Sequence, residues 1–103
     1  MNWNQILVEI PVYAPELLEE INLINDYQTG LLEKLERQDN AQELEAVYKI
    51  EQDRLIDILK GYLDIKRKPS HYAEAEQKLT AAFGQLIGFR KHLHNLLQKV
   101  NEE

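Results

Sequence analysis

Apolar side chains recur at intervals of three and four along nearly the whole chain. Trp3, Ile6, Leu7 and Ile10 stand at i, i+3, i+4 and i+7, one face of a short helix over about residues 2–10. Asn2 is placed to cap it, Pro11 is expected to stop it, and Pro15 followed by Glu16 restarts the chain at a favoured first-turn position. Two turns are too few to stand alone, so this segment must pack on something.

From about 15 to 38, Leu17, Ile21, Ile24, Gln28, Leu31 and Leu35 form a heptad seam with one polar member. Leu18, Tyr27 and Leu32 widen it, and Gly30 within it marks a possible kink. Asp39 and Asn40 are candidate caps, with Gln42 and Glu43 at capping-box spacing behind them. The next seam, over about 40–66, is Leu44, Tyr48, Glu51, Leu55, Ile58, Tyr62 and Ile65, flanked by Val47, Ile56, Leu59 and Leu63. Lys66-Arg67-Lys68-Pro69 ends it and Ser70 is set to cap the last helix. Over about 70–101, Tyr72, Glu76, Leu79, Phe83, Leu86, Arg90, Leu93, Leu97 and Val100 keep the same rhythm.

Glu16, Glu43 and Glu74 open the three long segments, and Lys34 with Arg37, Lys66 and Lys99 close them, the polarity a helix dipole favours. Period, caps and polarity agree. They predict an all-α fold: an antiparallel up-down-up bundle of three long helices plus a short N-terminal helix, in one domain spanning 1–103.

Composition supports helix, with only four Gly and three Pro. The absence of cysteine excludes disulfides and thiolate metal sites. The N-terminus lacks the basic and long apolar regions of a signal peptide, and no run approaches the roughly 20 apolar residues of a spanning helix. A soluble, cytoplasmic protein is expected. The net charge of −6 is uneven: residues 1–64 carry 14 acidic and 5 basic side chains, residues 65–103 carry 4 and 7. This acidic majority argues against nucleic acid, and Lys66-Arg67-Lys68 reads as a solvated loop.

The stretch FRKHLHNLL holds two histidines, yet His92 and His94 lie about 160° apart on a helix, so one metal ion cannot take both. His71 falls at the far end of the predicted last helix, over about 30 Å away. No metal site and no cofactor are expected. Nucleotide-binding, metalloprotease and nucleophile-elbow motifs are absent. Glu19-Glu20 and Glu43/Glu45 read as carboxylates on open helix surfaces, so no catalytic site is expected.

Two features are left unsatisfied by the pattern. Counting from the expected turns brings Gln28, Glu51 and Arg90 to similar heights, which predicts a buried polar layer with Glu51 paired to Arg90 and Gln28 joining. Arg54 is a competing partner for Glu51. The last helix carries an apolar arc of about 180°, wider than one-sided burial requires. Phe89 and Leu96 lie on its edge and need cover: the Trp3 segment, a second copy or a partner. Ala81, Gly84 and Gly88 form a small-residue face beside that edge, and two mid-helix glycines cost about 1 kcal/mol each relative to alanine.

Residues 39–59, DNAQELEAVYKIEQDRLIDIL, resemble the small helical chaperones of the flagellar export system, of the filament-cap type. Asp39, Leu44, Val47, Arg54, Leu55 and Ile56 carry the likeness, while Asn40 stands where that family often has an aromatic residue. The resemblance covers about a fifth of the chain and implies a helical cytosolic protein that binds an amphipathic helix of an export substrate. Together these readings predict a non-enzymatic interaction protein, a chaperone, adaptor or regulator. It would bind a partner helix through Trp3, Ala81, Gly84, Gly88, Phe89 and Leu96, uncovered by movement of the Trp3 segment. The competing readings are an acidic immunity or inhibitor protein and a structural homodimer.

Overall fold

The computed structural model describes residues 2–35 and 41–102, without the side chains of 35, 41, 43, 44, 47 and 100–102. The described residues form helices α1 (Trp3–Tyr13), α2 (Leu18–Leu35), α3 (Ala41–Arg67) and α4 (Ala75–Glu102). Short 3-10 turns at Pro15–Leu17 and Pro69–His71 precede α2 and α4, and no strand occurs among the described residues. The expected caps Asp39 and Asn40, and Arg37 and Gln38 at the expected end of the second helix, lie outside the described residues.

The helices pack into an elongated body of 50 × 22 × 20 Å. Helix α4 runs along both α2 and α3, which touch each other sparingly among the described residues, and α1 lies along α3. Ile6 and Ile10, Leu17 and Ile24, Leu55, Leu59 and Leu63, and Leu86, Phe89 and Leu93 are each within 1% of complete burial. Full burial of such a side chain contributes roughly 1.5–3 kcal/mol, so these positions dominate the stability of the body.

Asn2 caps α1 reciprocally: its side chain accepts the Gln5 amide at 2.9 Å, and Gln5 Oε1 accepts the Asn2 amide at 3.0 Å. Pro11 does not stop this helix, contrary to expectation; α1 continues to Tyr13. A proline so close to the end removes one donor, leaving the Leu7 carbonyl without its helical partner on a solvent-facing side. The Ala14 amide, 2.8 Å from the Ile10 carbonyl, then closes the helix.

Ser70 does not cap α4 either. It sits inside the 3-10 turn opened by Pro69, and α4 begins five residues later than expected, at Ala75. Tyr72 is extended and Glu74 adopts a left-handed φ of 56°, so the chain reverses before the helix can start. Glu76 is the acidic residue of the first turn. Gly30 marks close packing within a continuous α2 rather than a break. A Cβ added there would lie 3.3 Å from both Leu97 methyl carbons on α4.

Candidate protein-interaction surface

Among the described residues, exposed large apolar side chains gather on the outer side of α1, at Leu7, Val8, Val12 and Tyr13. Only one of its eleven residues, Glu9, is charged. Ile6 and Ile10 point into the core, and at 100° per residue Val8 lies about 160° from each of them. Val8 is accordingly 72% exposed, and Val12, one turn on, is 70% exposed. Leu7, at 41%, and the exposed Pro11 extend the stripe, with Asn4 and Gln5 at its polar rim. An open groove of about 560 Å³ runs beside Val8, lined by Asn2, Asn4, Gln5, Glu9 and Arg67.

Two polar clips hold this helix and the turn after it against α3. Arg67 Nη1 donates to Glu9 at 2.7 Å, and its Nη2 donates to Asp64 at the same distance. Tyr62 donates to Glu16 at 2.8 Å, and Lys66 lies 2.9 Å from the same carboxylate oxygen. Burial raises the pKa of Glu16, but the hydrogen bonds from Lys66, the backbone and Tyr62 outweigh it and hold the carboxyl below its ordinary value. Burial, reinforced by the neighbouring Glu16, pushes the Tyr62 phenol well above its usual range.

The residues expected to form a polar layer are distributed among three separate contacts. Gln28 is buried and donates to Gln52 rather than meeting Glu51. Glu51 bonds His92 at 3.0 Å. Arg90 reaches across to Glu20 on α2, so it does not pair with Glu51, and Glu20 is half-buried rather than on an open surface. Height does not separate the expected pair: the Glu51–His92 contact brings Arg90 close to the level of Glu51, but residues two apart on a helix point about 160° away from each other, so His92 meets α3 while Arg90 faces α2. Arg54, the competing candidate, is exposed.

Phe89 is not at an edge: it is 1% exposed and belongs to the core. Trp3 and Leu96 are half-buried against that core. Ala81, Gly84 and Gly88 are exposed, and a Cβ at either glycine would meet nothing within 4 Å. The structure therefore separates the six residues expected to form one binding face into a core group and an open stripe. Sequence reasoning missed Val8, Pro11 and Val12 because it credited α1 with one apolar face. The available signal was that ILVEIPVY has apolar residues on both sides of the helix and only Glu9 charged, more than a surface helix with one covered side needs.

His94 is exposed and its ring lies 5.2 Å from that of Tyr27, tilted by 31°. His71 lies in the turn before α4 rather than on it. Among the described residues, no three His, Asp or Glu side chains are grouped to hold a metal ion, and no helix is long and apolar enough to cross a membrane. Comparison with family models, curated proteins and solved structures finds no match.

Proposed function

We propose that this chain is a non-enzymatic protein–protein interaction module, a small cytoplasmic chaperone, adaptor or regulator that binds an amphipathic helix through the outer face of α1. The observation that carries this is the exposure of Val8 and Val12, at 72% and 70%, on a helix whose opposite side is sealed into the core. An exposed apolar stripe on the order of 400 Å² falls in the size range of functional patches on soluble proteins. Helix-in-groove recognition uses apolar anchors at this spacing, and the polar and charged groups beside Val8, Asn4, Gln5, Glu9 and Arg67, could meet the polar flank of such a helix. The bundle is read as antiparallel and up-down-up, a reading supported by the contact 16–62 from the turn before α2 to α3, by 28–52 between α2 and α3, and by 20–90 and 27–94 between α2 and α4. The sequence resemblance to export chaperones points to the same class of activity.

The test is site-specific photo-crosslinking in cells expressing the full chain, with the photoreactive residue at Val8 or, as a control, at Asp53, which is exposed on α3. Defined protein adducts from position 8 and few from position 53 are expected. Equal yields from the two positions, or none from position 8, would exclude α1 as the binding face.

A further inference from the structure

We infer that the seat of α1 on α3 is itself a helix-docking site, that α1 is its built-in occupant, and that a partner helix of matching chemistry displaces it. This goes beyond binding at the outer face of α1 and does not depend on it. What the seat accepts is shown by what fills it. Ile6 and Ile10, about one turn apart, are 0% and 1% exposed and share one core with Leu59 and Leu63 of α3. Glu9, just before the second isoleucine, accepts a hydrogen bond from Arg67 Nη1 at 2.7 Å. The matching ligand is an amphipathic helix with two aliphatic side chains four residues apart and a carboxylate immediately before the second.

Three observations mark α1 as a removable occupant rather than part of the frame. It rests on α3 and on the turn that follows it, with little contact to α2 or α4 among the described residues, so the packing of α4 on α2 and α3 does not run through it. Ala14 is the one residue between Tyr13 and Pro15, so a change in its backbone angles swings the whole helix. The fit is also incomplete. Glu9 Oε2 is buried and finds no hydrogen-bond partner among the described residues, and Pro11 lies inside the helix. The first and last turns lack the acidic and basic residues that suit a helix dipole. A partner helix without these faults competes with α1 despite the tether, and anything that loosens α1 raises the fraction of open seats.

The probe is a synthetic peptide of residues 2–17 carrying Trp3→Phe and Pro11→Ala, which keeps Ile6, Glu9 and Ile10 and stands in for the partner helix. Trp3 is the only tryptophan of the chain and is half-buried on α1, so in the full chain it reports departure of that helix. Titration should show the peptide binding together with a red shift of Trp3 emission. Glu9→Gln in the chain loosens α1 but leaves the seat intact, and it should tighten peptide binding about fivefold, the weight of one part-exposed ion pair. Adding Arg67→Gln should cancel that gain, and circular dichroism of both variants checks that they fold. No binding, or binding that leaves Trp3 emission unmoved, would overturn the proposal. Binding that is lost with Val8→Glu and indifferent to Arg67→Gln would put the peptide on the outer face, rejecting the seat and leaving the outer-face reading standing. Self-association of the Glu9→Gln chain that blocks the peptide would give the seat to the α1 of a second copy and reject a partner helix.

Discussion

Tyr62 on α3 donates its phenolic hydrogen to Glu16, at the entrance to α2, over 2.8 Å and across 46 residues of sequence. Lys66, one turn further along α3, reaches the same oxygen. One carboxylate therefore ties the α1–α2 corner to α3. Tyr62→Phe keeps the buried ring but removes a donor from a charged acceptor, a loss of about 1–2 kcal/mol. Urea unfolding should show a lower midpoint with an unchanged slope.

The same carboxylate gives stability a dependence on acid. Glu16 titrates below its ordinary value near 4.5 in the folded chain, so the unfolded chain takes up its proton first as pH falls. Its contribution is full above about pH 4.5 and fades as pH drops through the lower folded value. Solvent screens this half-open site, so the effect is modest. Melting temperatures of Glu16→Gln and the unaltered chain should differ near neutrality and converge in acid. A constant difference down to the lowest pH would contradict this assignment.

Arg90 and Glu20 form a cross-helix pair whose side chains are about a quarter and a sixth exposed. Removing only the arginine strands a largely buried carboxylate. Arg90→Met alone should cost about 2–3 kcal/mol, and adding Glu20→Gln should recover much of it. A double-mutant cycle measures the coupling, and additive losses would mean the two side chains act independently.

The three interior glycines of α2 and α4 should respond differently to alanine. At Gly84 and Gly88 the added methyl meets open space, and the gain in helix propensity is up to about 1 kcal/mol at each. At Gly30 it presses on the Leu97 methyl carbons, which must move a few tenths of an ångström. Gly30→Ala should therefore stabilise less than either of the others, and Gly30→Val should destabilise. Thermal melts of the four variants give the ranking directly.

Phe89 is a core residue rather than part of a docking edge. At 1% exposure, Phe89→Ala should cost about 3–5 kcal/mol through cavity formation, and Phe89→Glu should unfold the chain. If Phe89→Glu melts like the unaltered protein, the burial of this residue is refuted.

The core was legible because periodicity reports burial directly. Leu17, Ile24, Leu55 and Leu93 were each placed on a seam and each is fully buried. The polar partnerships were not, because a seam fixes which face is buried but not which of two neighbouring helices each seam residue meets. Glu51 and Arg90 come to similar heights, as the count predicts, yet Arg90 turns to Glu20 on α2 and His92 takes its place, a choice of neighbour that no local signal encodes. Pro11 misled for a related reason: a proline near a helix end costs one hydrogen bond, and the burial of Ile6 and Ile10 outweighs it. The exposed side of α1 was visible in its composition, but a rule that looks for one apolar face finds Ile6 and Ile10 and stops there.

The two clips on α1 and its corner join residues 58 and 46 positions apart, Glu9 to Arg67 and Glu16 to Tyr62. During synthesis α1 is therefore made well before the end of α3 that holds it exists. Until then its nearly uncharged turns have neither a core to enter nor an arginine to answer Glu9. Docking of this helix on α3 therefore waits for those turns to emerge, and over that interval Ile6 and Ile10 lack the cover that buries them in the finished fold.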